Sequence, residues 1–327
     1  MPWEVRSANG INLPQIGWWL DAPRSQARSF VSHAHSDHIA PHREILATRV
    51  TASLMRLRLG GKRRETILEY DRPWAAEFGC EMRLFPAGHI FGSAMLHATT
   101  EHGSLLYTGD FKLRPSLAAE PCAPPRADVL ITETTFGLPR YVFPPADEVA
   151  RNIVDFCRQA LADQVAPVLF GYSLGKTQEL LQIVGGAGLP VMVHAQGHRI
   201  CQRYEELGLK LPPYSLLDEN NHAGHVIICP PMSGQDAPLS WIHPKRTAIA
   251  TGWALDRSAT YRYGCDAAFP LSDHADFPDL LAFVEKVQPK VVYTLHGFAK
   301  EFAATLRARG VEAWAIGQQN QLDLSLD

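Results

Sequence analysis

Short apolar runs recur along the chain with turn residues between them: Ser29–Ser32, Cys80–Phe85, Ser104–Tyr107, Val129–Ile131, Val168–Phe170, Val191–Val193, Val226–Ile228, Ala248–Ala250 and Val291–Leu295. Runs of this length predict buried strands. Helical patterns lie between several of them. Asp147–Ala162 carries apolar Val149, Ile153, Val154, Phe156 and Leu161, and Thr177–Val184, Asp279–Val287 and Lys300–Arg309 are further helical stretches. Strands alternating with helices predict a layered α/β architecture. The segment Gly137–Pro145 holds Pro139, Pro144 and Pro145 with Tyr141 and Phe143 between them, too much proline for a helix or a central strand. It separates two differently patterned halves, and a domain boundary is expected there.

Composition narrows the class. The 327 residues suffice for about two domains of ordinary size. With 31 Lys+Arg against 34 Asp+Glu the formal charge is −3, so the chain cannot hold a polyanion by global charge, and any grip on one must be local. Cysteines 80, 122, 157, 201, 229 and 265 are scattered without a C-x-x-C pair, which argues against a disulfide framework and a thiolate zinc knuckle. The first residues lack an apolar leader core, and no long uncharged apolar stretch occurs. A soluble cytoplasmic protein without a membrane partner is the expectation. The 14 histidines change the picture, because their placement is not random.

The strongest signal is His33-Ala34-His35-Ser36-Asp37-His38, directly after the strand-like Ser29–Ser32. Imidazole nitrogens and carboxylate oxygens are donors that zinc prefers, and manganese or iron with less selectivity. A core would have to satisfy three polar rings at once to explain the array by packing alone. Further strand ends carry the same chemistry. His89 follows Met82–Phe85, Asp110 follows Leu105–Tyr107, Glu133 follows Val129–Ile131, His274 follows Phe269–Leu271, and His296 follows Val291–Leu295. Each one alone reads as a structural hydrogen-bonder. In open α/β sheets, however, the carboxyl ends of strands gather at one edge, so a shared offset predicts convergence on one site.

These residues carry a family resemblance. His33–His38, then Ala87-Gly88-His89, then Thr108-Gly109-Asp110 resemble the successive ligand motifs of the metallo-β-lactamase superfamily, and Asp21 resembles its first acidic motif. Thr132-Glu133-Thr134-Thr135-Phe136, Ser272-Asp273-His274 and Leu295-His296-Gly297 resemble the three motifs of the β-CASP nucleases. The resemblance implies an α/β fold, a metallo-β-lactamase αβ/βα sandwich (residues 1–139 and 266–327) interrupted by a β-CASP cap (140–265), with the site in the cleft between them. It implies two divalent ions, zinc or manganese: one held by His33, His35, His89 and Asp110, the other by Asp37, His38, Asp110 and His296. His274 would protonate the leaving oxygen and Glu133 would orient it, with Asp37 also in the catalytic set. Asp273 and Asp276 flank His274 and are alternatives to it.

For the substrate, Thr134–Pro144 and Tyr172-Ser173-Leu174-Gly175-Lys176 resemble segments of the DNA-repair branch that includes Artemis, whereas histidine at the last motif resembles RNA-processing members. The mixture best matches the ligase-associated DNA exonucleases. That implies a DNA exonuclease with a DNA ligase as functional partner, an RNA-processing ribonuclease being the alternative. Gly171–Thr177 has a P-loop-like layout but one residue too few between its glycines, so no ATP is expected. The same layout makes Ser173, Gly175 and Lys176 candidate phosphate contacts. Arg56, Arg58, Lys62, Arg63 and Arg64 form a dense basic run, read either as a solvated face or as a phosphate-gripping strip. Phe91 and Tyr141 are candidates to stack on bases. A non-catalytic scaffold would be expected to lose some ligand positions, and small-molecule hydrolysis would not need Glu133, His274 and the long insertion.

Overall fold

The computed structural model describes residues 3–7, 10–231, 239, 241–256 and 258–316. The chain divides into two compact units: Met1–Pro115 with Glu120–Val142 and His274–Asp327, and Ser116–Ala119 with Phe143–Asp273. Where residues 140 and 265 were expected to bound the inserted part, the second unit runs from 143 to 273. Strand Ala267–Phe269 pairs with Lys245–Ala250 and so extends that unit's sheet.

In the first unit a six-stranded sheet runs Arg6–Ser7, Ile11–Leu13, Trp18–Leu20, Arg28–Phe30, Glu44–Ala47, Arg64–Ile67. A seven-stranded sheet runs Glu312–Ala315, Val291–Leu295, Val129–Glu133, Gly103–Tyr107, Ala94–Thr100, Glu81–Pro86, Trp74–Ala75. Alternation along the strands decides which residues meet. Leu105, Tyr107 and Ile131 pack with Leu13, Trp18, Leu20 and Phe30 of the other sheet. Their neighbours Leu106, Leu130 and Val292 point to the opposite face and pack on Leu280, Phe283, Phe302 and Leu306. Those four belong to helices Phe277–Val287 and Ala299–Ala308. The arrangement is a sheet pair with helices outside, the layering expected of the metallo-β-lactamase sandwich. Helix Phe277–Val287 starts sharply because the Asp276 carboxylate accepts the Asp279 amide at 3.0 Å and a proline occupies the first turn.

The second unit has an all-parallel sheet in the order Ser215–Leu216, Val191–Val193, Val226–Cys229, Ala166–Phe170, Lys245–Ala250, Ala267–Phe269. Both faces are covered, so its strands are apolar on both sides. Leu169 and Ile228 face a cluster with Val149, Ile153, Leu180 and Cys201, while Val168 and Ile227 face Leu239 and Ile242. All six cysteines are free. Among the described residues no helix is long and apolar enough to cross a membrane.

Candidate metal centre

The first unit brings the strand-end histidines and acids together. One donor atom each from His33, His35, His89 and Asp110 lies within 4.8 Å of the others, and so do those of Asp21, His33 and His38, and of Asp110, Glu133 and His274. Asp110 Oδ2 stands 3.2 Å from His38 Nε2, 3.5 Å from His33 Nε2 and 3.9 Å from His89 Nε2. His35 Nδ1 faces His89 Nε2 at 3.0 Å. The other two predicted ligands flank this array. Asp37 Oδ2 is 3.6 Å from His38 Nε2 on a largely exposed side chain, and the exposed His296 ring has its centroid 5.9 Å from that of His38.

Backbone conformation makes these positions possible. Gly109 has φ +55°, and a Cβ there would sit 2.4 Å from the Ser32 side chain, so no larger residue fits between that strand and Asp110. Gly297 has φ +53°, and a Cβ there would sit 2.5 Å from the Thr134 carbonyl. His296 itself takes φ 59°, with its carbonyl held at 2.6 Å by Thr134 Oγ1.

A chain of hydrogen bonds sets the His33 tautomer. Buried Asp21 accepts the Ser32 amide at 2.7 Å and the Ser32 hydroxyl at 2.5 Å, as well as the Tyr107 hydroxyl at 2.9 Å. Since Ser32 has a single hydroxyl proton and Asp21 takes it, the 2.9 Å contact between Ser32 Oγ and His33 Nδ1 requires His33 Nδ1–H to donate. That leaves a lone pair on His33 Nε2, which is buried and makes no hydrogen bond. An unpartnered buried lone pair is costly, and a cation is the partner that fits it.

The electrostatics agree with that assignment. Burial, with His38 and His89 nearby, pushes the His33 pKa well below the ordinary imidazole range and keeps the ring neutral. Burial opposes ionisation of Asp110, but His38 and His274 overcome it and hold the carboxyl well below its usual range. Burial also opposes charge on His38, and there Asp110 and Asp21 win and raise its pKa. Neutral His33 and ionised Asp110 are the protonation states of ligands. Asp21 binds His38 Nδ1 at 2.8 Å, aiming Nε2 at Asp110.

Beside the array, His274 Nδ1 lies 2.9 and 3.0 Å from the two Glu133 oxygens, and its ring is 4.7 Å from that of His89. Glu133 also accepts the Phe111 amide at 2.8 Å and the Thr135 hydroxyl, which fix the carboxylate in place. The two alternatives to His274 have further partners of their own. Asp276 caps a helix and pairs with Arg114, and Asp273 Oδ1 lies 3.5 Å from Lys176 Nζ.

Three substrate expectations need correction. Lys176 is buried in the second unit, where Nζ donates to the Leu271 carbonyl at 2.9 Å and lies 3.4 Å from Glu179 Oε2. It fastens the segment that ends the unit and presents no charge to a phosphate. The buried Gly175 amide is taken by Gln178 Oε1 at 2.7 Å, while Ser173 stays partly exposed. In the basic run, Arg56 and Arg63 face Glu65, and Arg64 faces Glu44. Arg58 donates to the Ala34 carbonyl at 2.6 Å, inside the histidine motif. Tyr141 is buried between Phe136 and Phe298 and offers no open stacking face. The Asp21–Ser32–His33 link escaped sequence reading. Beyond the resemblance at Asp21, its signal is a serine immediately before the first motif histidine.

Residues 267–316 match the family described as Zn-dependent metallo-hydrolase RNA specificity domain. A protein of Opitutus terrae named "Probable DNA ligase" is 58% identical over the whole chain, which covers 32% of that relative. The chicken protein "5' exonuclease Apollo" is 28% identical over 297 residues, covering 88% of this chain and 59% of the relative, and the human "DNA cross-link repair 1A protein" is 24% identical over 320 residues, covering 87% and 30%. These similarities support a metallo-β-lactamase fold of the β-CASP kind. It spans about a third to three fifths of the length of these relatives. A solved structure of a protein of unknown function from Enterococcus faecalis V583 shares the fold, with TM-score 0.60 at 14% identity over 90% of this chain and 80% of that one. The histidine–aspartate array and the metallo-hydrolase match together support a divalent metal.

Proposed function

We propose that the chain is a DNA exonuclease that hydrolyses phosphodiester bonds with two divalent ions, working from the 5′ end in repair alongside a DNA ligase. The observation that carries this reading is the Glu133–His274 pair set against Asp110 at the edge of the metal array. A metal site alone would suit many hydrolyses. A buried carboxylate holding an imidazole beside it adds a proton donor for a leaving oxygen.

His33, His35, His89 and Asp110 would hold one ion, and Asp37, His38, Asp110 and His296 the other. When bound, such ions acidify a water and stabilise the charge that develops on the phosphodiester oxygens. The protein residues do the rest. Glu133 holds His274 through Nδ1, which directs Nε2 outward to hand its proton to the departing oxygen. Asp21 fixes the directions of His33, through Ser32, and of His38. The names of the exonuclease and cross-link-repair relatives support DNA and attack from the 5′ end, and the ligase-named relative supports the partnership. His296 and the RNA-specificity family match over 267–316 favour a second reading, an RNA-processing ribonuclease.

The test is a time course on matched DNA and RNA strands labelled at either end, single-stranded and duplex, with zinc or manganese supplied. DNA shortened stepwise from the 5′ end, and arrested by a chelator, is the expected result. RNA cut far faster than DNA would transfer the assignment to the second reading, and no cleavage of either would end both.

A further inference from the structure

The loop after Glu133 carries a cation that the proposed reaction does not yet use. Arg140 is exposed on the first unit, yet its side chain is held in place. Its guanidinium carbon sits 4.9 Å from the Tyr141 ring centroid and 5.6 Å from that of Phe298, and Nη2 donates to the Tyr141 hydroxyl at 3.1 Å. Among the described residues it has no carboxylate partner. Only one of its N–H donors is occupied.

The platform beneath the guanidinium is built from the segments that carry the site. Tyr141 packs edge-on against Phe136 at 5.2 Å, and Phe136 lies 6.2 Å from His274. The Phe277 amide donates to the Tyr141 carbonyl at 3.0 Å, tying the loop to the chain just after His274. Phe298, two residues after His296, donates its amide to the Thr134 carbonyl at 2.9 Å, next to Glu133. Each ring under Arg140 is therefore anchored to a stretch bearing Glu133, His274 or His296.

A free arginine loses rotamer entropy when it is immobilised, and stacking has already removed much of that freedom here. The result is a stacked planar cation without a carboxylate partner among the described residues, linked to His274 through the Tyr141 and Phe136 rings, on a protein whose net charge is −3. Guanidinium matches phosphate through paired N–H donors. We propose that Arg140 is a phosphate-binding residue that grips the nucleic-acid strand next to the bond being cut. This rests on the nuclease reading, and the phosphate is either an internal phosphodiester or a terminal 5′-phosphate.

Steady-state cleavage by wild type, R140Q and R140K over a range of salt concentrations, with metal content and melting temperature measured alongside, tests the assignment. R140Q is expected to raise KM about 10-fold with kcat within about twofold, the pattern of lost ground-state binding. Its salt dependence should weaken by about one unit of log–log slope, since one phosphate contact is gone. R140K should restore the slope but only part of the KM, because an ammonium lacks the stacked planar fork. A defect confined to 5′-phosphorylated strands identifies the terminal phosphate, and an equal defect on hydroxyl-ended strands identifies an internal one. If wild type cleaves and R140Q matches it in KM and salt slope, the assignment is wrong while the nuclease reading stands. Loss of metal or stability at unchanged slope also overturns it, by making Arg140 structural. A wild type that cuts no nucleic acid removes the underlying reading itself.

Discussion

The first unit buries a cluster of imidazoles and carboxylates, the second a lysine with two acids, and the two clusters differ in closure. Around Lys176 the ammonium meets Leu271 O, Glu179 and Asp273, all within 3.5 Å. Around Asp110 the rings crowd together and His33 Nε2 meets no hydrogen-bonding partner. A closed cluster has its use within the fold. An open one is held in shape by its surroundings, here Asp21 and Ser32, for something that comes from outside.

Asp110→Ala should give the largest effect that separates them: cleavage falls to the detection limit and bound metal drops, while circular dichroism keeps the fold. Retained turnover would show that the open cluster is not the centre. His274→Ala should slow cleavage about 10²–10⁴-fold, the usual worth of a general acid, with metal content unchanged. A fall in metal content would make His274 a ligand. In the closed cluster the signature reverses. Lys176→Met leaves Glu179 and Asp273 without their buried ammonium and should destabilise the protein by about 3 kcal/mol in denaturant titrations, with metal content unaltered.

The smallest effect sharpens what an unmatched nitrogen means. His42 is buried, its Nδ1 accepts the Gln26 amide at 3.1 Å, and its Nε2 has no hydrogen bond, as in His33. It belongs to none of the donor groups. Burial lowers its pKa to about 4, against an ordinary value of 6.5. Because the folded value lies below the unfolded one, its contribution is complete above pH 6.5 and is lost as pH falls from there through about 4. The loss amounts to at most about 3 kcal/mol. His42→Gln should flatten that part of the stability–pH curve and leave bound metal unchanged. A change in metal content would mean that an unmatched nitrogen marks the centre even outside the cluster.

Much of this was legible in the sequence because strands of one sheet that run the same way end at the same edge. His89, Asp110, Glu133 and His296 each follow or close a strand that forms as expected. Apart from Arg28–Phe30 and Val191–Val193, the shorter strands were not legible. Those of the six-stranded sheet have two to four residues, too few for alternation to show. Ala94–Thr100 mixes small and polar residues in the middle of a sheet. Helix Ala195–Glu206 is too polar to stand out, with only Gly197, Ile200, Cys201 and Tyr204 buried. Side-chain partnerships across long separations were invisible as well. Nothing near Lys176 in sequence announces Asp273, so a helix-opening lysine after a glycine reads as a phosphate grip until its partner is seen.

The parallel pairing of Val129–Glu133 with Val291–Leu295 joins residues on either side of Phe143–Asp273, the main part of the second unit. During synthesis, the strand that ends in Glu133 leaves the ribosome long before the neighbour that will cover its edge. The nascent chain must therefore carry an unfinished sheet while the intervening part emerges and folds. Premature release anywhere in that interval yields a polypeptide that already has its first histidines but lacks His274 and His296, and that exposes a bare apolar edge prone to aggregation.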